Sequence, residues 1–273
     1  MKRWICLLTA LLLALALCAC GSRPLDTEWS LVEENAYTLS DGVTVSAWEQ
    51  DPLLGRSYRL SDGTELLLER LQARPDHVYV GNMPGYQGLS EPAQQAVMAE
   101  YEVQYQAYCE MRGQQLEQAY ADWLDCQEQK VEFRSHPLQF EMVNAAESEQ
   151  VIFYRASITH AARPHYEGVI EDQVSCMIFH RQTGERLSMW ELFRLPEEQA
   201  REQILSYVVS QAPQVPEQAL REAFQDEGLW WHSSGIEVCY PAGTLPGEEL
   251  MWMLTIPYDQ LPGLHPWAVP TKQ

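Results

Sequence analysis

The chain has 273 residues, with 18 Lys and Arg against 39 Asp and Glu, and a formal net charge of −21. Its 46% hydrophobic and 10% aromatic content is enough for a large core, which excludes a merely disordered acidic chain. The few basic residues form no patch, so a grip on a phosphate backbone is excluded and no nucleic acid is expected as a partner.

Lys2 and Arg3 precede an almost unbroken apolar run from Ile5 to Leu17. The run falls short of the roughly 20 residues that span a bilayer and matches a signal-peptide h-region. Leu17-Cys18-Ala19-Cys20 follows and resembles the bacterial lipobox. Ala19 is small whereas Leu17 is a poor cleavage residue, so residues 1–19 are expected to be a signal peptide and Cys20 the lipidated residue. An ordinary secretory signal with a chance cysteine is the alternative. Two or three acyl chains, at about 0.8 kcal/mol per buried methylene, anchor firmly where one does not. The expected location is therefore the outer face of the cell membrane, lipid-anchored. Loss of Lys2 and Arg3 leaves 16 basic against 39 acidic residues, so the mature chain carries about −23.

Residues 20–35 are polar and acidic and read as a tether. Val43 to Trp48 alternates as a half-buried strand does, and Ser57 to Leu71 reads as a hairpin turning at Asp62-Gly63. His77 to Val80 reads as a short strand, and Met83 to Ser90 as turn-rich. Ser90, followed by Pro92, is placed to cap a long helix whose stripe includes Val97, Tyr101, Tyr105, Tyr108, Leu116, Tyr120 and Trp123. Gly113 is a candidate kink. The stripe needs an apolar face to cover it, so the region from Ser90 to Lys130 is expected to pack on a sheet built from both halves of the chain.

From Val131 the period becomes strand-like, with candidates at Phe140 to Val143, Val151 to Ile158 and Val174 to Phe179. Gln182 to Glu185 reads as a turn and Ser188 to Phe193 as a short helix or turn. Pro196 and Pro216 each open a helix, and strands return at Gly235 to Tyr240 and Leu250 to Ile256. The expected fold class is α+β: a mixed or antiparallel sheet packed against a long helix and shorter helices. Residues 36–130 supply N-terminal strands and the long helix. Residues 131–273 supply a C-terminal α+β region, expected to form one compact unit with them.

Phosphate-loop, HExxH and GxSxG motifs are absent. His160 and His165 flank a loop on which a metal could sit, yet Arg163 between them opposes a cation, so neither metal nor cofactor is expected. No acidic pair among Glu167, Glu171 and Asp172 rises above the general acidity, so no catalytic residue is assigned. Trp230, Trp231 and His165 are the candidate binding residues. The two Trp either stack on a sugar ring or partner, or pack internally. Once the signal is removed and Cys20 acylated, Cys109, Cys126, Cys176 and Cys239 remain, without zinc spacing and with disulfides and free thiols both open.

The stretch from Phe153 to Phe193 resembles the extracytoplasmic domain shared by the RsiV anti-sigma factor and the PdaC peptidoglycan deacetylase. That pattern has a strand, a Gly-Gly-Ala-His loop, a second strand, a Thr-Gly turn and a Leu-x-x-Leu-Phe segment. Here it reads Val151 to Ile158, Ala162-Arg163-Pro164-His165, Val174 to Phe179, Thr183-Gly184 and Leu187 to Phe193. The closing Ile-Pro-Tyr is Ile256-Pro257-Tyr258. Met83 to Leu89 and the following helix resemble the family's other half. The loop departs from the pattern in lacking the Gly-Gly. The resemblance implies a binding or sensing module for a protein or cell-wall component, with a basic secreted protein such as lysozyme as one partner. A cell-wall enzyme or its accessory subunit is the alternative. A substrate-binding lipoprotein is a third reading, disfavoured because no two-lobed repeat of βα units is present.

Overall fold

Alternation and turn chemistry shape the first four strands: β1 (Trp29–Thr38), β2 (Thr44–Gln50), β3 (Gly55–Arg59) and β4 (Glu65–Leu71), paired as an antiparallel meander. At the β3–β4 turn, Asp62 Oδ1 accepts from the Thr64 N–H at 2.9 Å and Gly63 takes φ +89°, a conformation open to glycine. The structure, a computed structural model, describes residues 28–50, 55–71, 88–161, 170–248 and 250–270. Residues 29–35 correct the expected tether, because Trp29 to Val32 pair with β2 and the strand continues to Thr38. The expected signal peptide, Cys20, the expected strand at His77–Val80 and Met83 to Gln87 lie outside the described residues.

Ser90 Oγ accepts from the Ala93 N–H at 3.3 Å, and Pro92 sits in the first turn, so α1 (Glu91–Gln129) begins where its cap dictates. The helix runs unbroken for 39 residues, and Gly113 does not divide it. A Cβ at Gly113 would stand 3.2 Å from the Tyr37 hydroxyl, so the glycine makes room for a β1 side chain. α1 is the crossover between β4 and β5 (His136–Glu147), which pair in parallel and therefore need a long connection. β6 (Val151–Ala161), β7 (Ile170–His180) and β8 (Arg186–Leu187) complete an eight-stranded sheet in strict chain order. The sheet thus draws strands from both sides of Lys130. Val97, Tyr101, Tyr108 and Leu116 of α1 are buried upon it. Phe140 of β5 sits among Tyr101, Tyr105 and Tyr108, at ring separations of 5.8, 6.1 and 5.5 Å. Such pairs add about 0.5–1.5 kcal/mol each beyond their burial.

Among the described residues, the buried contacts on the other face of the sheet gather at one end. β6 opens with Val151, Ile152, Phe153 and Tyr154, all buried. Successive strand residues face opposite ways, so an apolar run is stable only where both faces are covered. Ile152 and Tyr154 face α1, whereas Val151 and Phe153 belong to a second core. That core contains α2 (Glu197–Gln211), α3 (Glu217–Ala223) and a small antiparallel sheet in the order β11-β10-β9: β9 (Leu229–His232), β10 (Gly235–Tyr240) and β11 (Trp252–Pro257). The fold is α+β, with a mixed sheet, one long helix and shorter helices. Among the described residues no helix is long and apolar enough to cross a membrane.

Candidate functional site

β7 pairs with β6 along its whole length, eleven residue pairs without a slip in register. On its other side β8 covers only Ile178 and Phe179. The chain then leaves this row at Ser188, where the Ser188 N–H donates to Glu191 at 2.6 Å and a capping box opens a 3-10 turn over Met189–Leu192. Residues 172–177 of β7 consequently have no strand on their outer side among the described residues. Asp172, Gln173 and Ser175 are exposed there.

A cleft of about 500 Å³ lies against this edge. Val174, Ser175, Cys176, Trp190, Asp226 and Trp231 line it. The Trp190 wall is rigidly held. Trp190 Nε1 donates to Asp226 Oδ2 at 3.0 Å, and Arg201 donates to both Asp226 oxygens at 2.5 and 2.9 Å. Arg201 also bonds Glu197 at 3.0 Å, and its guanidinium lies 4.7 Å from the Trp190 ring centroid. Hydrogen bonding to Asp226 holds the Arg201 pKa above its ordinary value. Two acidic groups of the cleft are thereby engaged by one cation. At the rim, Arg186 pairs with Glu100 of α1 at 2.6 Å.

Burial pushes the Cys176 thiol up to about 12, only partly offset by the Trp231 backbone N–H beside it. Cys176 therefore stays protonated near neutral pH and is a poor nucleophile. Cys109, Cys126, Cys176 and Cys239 are all free thiols, which resolves the disulfide alternative.

The two tryptophans proposed as binding residues do not form a joint patch. Neighbours on β9 point to opposite faces. Trp231 is 3% exposed and stacks on Phe153 with 4.6 Å between centroids, so of the two readings it takes internal packing, as a core residue that also lines the cleft. Its Nε1–H is buried and has no hydrogen-bond partner among the described residues. Trp230 is half-buried and donates to the Glu227 carbonyl at 3.1 Å. His165, Glu167 and the loop of residues 162–169 lie outside the described residues. His160 and His180 occupy opposite ends of the β6–β7 pair, where His160 is buried and His180 Nδ1 accepts from the Gln182 and Thr183 N–H groups at 3.2 Å each. No group of three or more metal-ligating side chains occurs among the described residues.

Two polar clusters beneath α1 escape sequence reasoning. Glu69, fully buried on β4, accepts from Tyr108 at 2.7 Å, Arg56 at 3.3 Å, and Tyr58 and Arg112 at 3.4 Å each. Arg56 continues to Glu49 at 2.6 Å. Burial, then Glu69, pushes the Tyr58 hydroxyl up to about 12. Further along α1, buried His136 meets Asp122 at 2.8 Å through Nε2 and the Gln115 side-chain oxygen at 3.0 Å through Nδ1. The Gln115 amide nitrogen donates to the Ala161 carbonyl at 3.1 Å, which orients the amide oxygen toward His136. Both ring nitrogens thus face side-chain oxygens, one from the Asp122 carboxylate and one from the Gln115 amide. The spacing of Tyr108 and Arg112 on one helical face was the available signal for the first cluster.

No family model matches this chain, and no curated protein matches it. Among solved structures it is similar to a protein from Pseudomonas aeruginosa at 13% identity and a TM-score of 0.37, over 54% of this chain and 71% of that one. It is also similar to a protein from Bacteroides fragilis at 14% identity and a TM-score of 0.38, over 88% of this chain and 93% of that one. Both neighbours are DUF3298 family proteins, a domain of unknown function.

Proposed function

We propose that this chain is a lipid-anchored, extracytoplasmic binding or sensing module that takes part of a protein or cell-wall ligand into the cleft beside β7. The observation that carries the reading is the cleft of about 500 Å³ against the outer side of β7, with Trp190 and Trp231 in its lining. The preset Trp190–Asp226–Arg201 wall supports the same reading, because ligand sites are commonly preformed and concave with a few convergent polar groups. For the enzyme alternative, Glu227 is the cleft carboxylate that Arg201 does not engage, whereas Glu197 and Asp226 both bond to it.

The net charge of −21 adds a long-range field that favours a basic partner. Together with the resemblance to the RsiV and PdaC domain, it makes a basic secreted protein of lysozyme type the first partner to test. The test is calorimetric titration of the full chain in detergent with lysozyme and with an unrelated basic protein, at low and physiological salt. Saturable lysozyme binding that survives physiological salt and weakens in Trp231→Phe is expected. Equal, weak binding to both proteins that vanishes with salt would reduce the reading to nonspecific attraction, since screening acts over about 8 Å at physiological ionic strength.

A further inference from the structure

We propose that the outer edge of β7 over residues 172–177 accepts an extended, basic peptide segment of a partner protein as an added strand, with the cleft receiving side chains from one face of that segment. This rests on the reading of the cleft as a binding site and specifies how the site works. Along any strand, alternate residues turn their N–H and C=O groups to one side, so an unpaired edge is a ready template for another strand. β8 already begins such a row, antiparallel to β7, and the capped turn at Ser188 vacates it after two residues. The added segment continues the row that β8 starts.

Three features single out this edge. Proteins blunt exposed edges with Pro, Lys or irregular register. At the opposite end of the large sheet, β1 carries Glu33 and Glu34 and slips in register against β2 between Val32 and Tyr37. In the small sheet, β11 ends in Pro257, and β9, the other terminal strand, is only four residues long. Residues Asp172 to Met177 contain no Pro or Lys, and their pairing with β6 is regular throughout. Moreover, the cleft of about 500 Å³ flanks this edge, with Trp190 and Trp231 in its lining.

Charge selects the occupant. Asp172 lies on the edge and Glu227 beside the cleft, in a chain of net charge −21. A segment with Lys or Arg at alternate positions is attracted to this rim, whereas a second copy of the chain carries the same −21 and is repelled.

Backbone recognition has a signature that side-chain recognition lacks. The full chain in detergent is titrated by fluorescence anisotropy with a labelled, end-capped peptide of four Lys-Val repeats. Its Glu-Val counterpart and two N-methylated versions are titrated alongside, one methylated at every Val amide and the other at every Lys amide. Only alternate amides of an added strand face β7, so one methylation register should weaken binding at least about tenfold while the other is tolerated. The Glu-Val peptide should not bind, and amide hydrogen exchange should slow in residues 172–177, not in β1 or β11. If both methylated peptides bind as well as the parent, the cleft reads side chains alone and strand addition is overturned. Lysozyme binding without any binding of the Lys-Val peptide, or protection appearing at β11, also overturns it and leaves the binding function standing. Failure of lysozyme and of every basic peptide overturns both readings. Dimerisation that competes with the peptide at β7 would make the occupant a second copy and overturn the assignment of a partner.

Discussion

Trp231 of β9 lies nearly parallel to Phe153 of β6, with ring centroids 4.6 Å apart and planes 10° apart. This stack joins the small sheet to the large one, and it places part of the cleft lining on the same side chain that closes the second core. Packing and recognition at Trp231 are separable by substitution. Trp231→Ala removes the ring and should cost about 3–5 kcal/mol of stability. Trp231→Phe keeps an aromatic ring over Phe153 while deleting the indole N–H and part of the ring, so it should cost about 1–3 kcal/mol, less than Trp231→Ala. Urea unfolding measures both. A Phe variant as unstable as the Ala variant would mean that the indole N–H has a structural acceptor.

Glu69 tests the cluster beneath α1. Its carboxylate is fully buried and meets two arginines and two tyrosines contributed by β3 and α1. Glu69→Ala should cost about 3 kcal/mol, because it leaves the half-buried Arg112 of α1 without its acid and weakens the hold on Arg56. Tyr108→Phe removes one hydrogen bond and should cost about 0.5–1.5 kcal/mol. A loss below about 1 kcal/mol for Glu69→Ala, read from the urea midpoint, would show that water replaces the carboxylate readily.

The elements legible in the sequence were those with long, unambiguous periodicity. Tyr101, Tyr105 and Tyr108 repeat at helical spacing and do line the buried face of α1. Val151 to Tyr154 reads as a strand because no residue in it tolerates water, and the structure covers both its faces. β1 was missed because Glu33, Glu34 and Asn35 interrupt its alternation where the register slips. β9 was hidden because four residues, Leu229 to His232, carry too little pattern to separate a strand from a loop. The cleft could not be read from sequence at all. Its walls come from β7, β8, the Ser188 turn, the start of α2, residues 226–227 and β9, and only the sheet order brings them together. Glu69 was illegible for the opposite reason, since a single acidic residue after three leucines looks like the solvated side of a strand.

Anchoring is tested at Cys20. The apolar run from Ile5 to Leu17 and the Ala19-Cys20 junction motivate the expectation of a lipidated N-terminus. Cys20→Ala should abolish incorporation of labelled fatty acid and shift the protein from the membrane fraction to the soluble fraction or to an uncleaved precursor. A Cys20→Ala protein that stays in the membrane with unchanged mass would contradict the lipobox reading.

Alkaline pH probes the second core. Cys176 and Cys239, ordinarily at 9.0, are both pushed up to about 12, chiefly by burial. Tyr240, ordinarily at 10.0, is likewise pushed up to about 12 by burial. A group that holds its proton more tightly when folded than when unfolded contributes stability that is fully present below its ordinary value. That contribution is lost as pH rises toward the folded value. Stability should therefore be level below pH 9 and decline between pH 9 and 12, first through the thiols and then through the tyrosines. The measurement is the thermal unfolding midpoint across this range. The double variant Cys176→Ala with Cys239→Ala should start lower, because each substitution leaves a small cavity, yet fall less steeply from pH 9 to 10. In the wild-type chain at pH 8, Cys176 and Cys239 should alkylate far more slowly than a free thiol, with labelling accelerating only as urea opens the second core. Rapid alkylation in the folded state, or a double variant with the wild-type slope, would show that these thiols are not held protonated by burial.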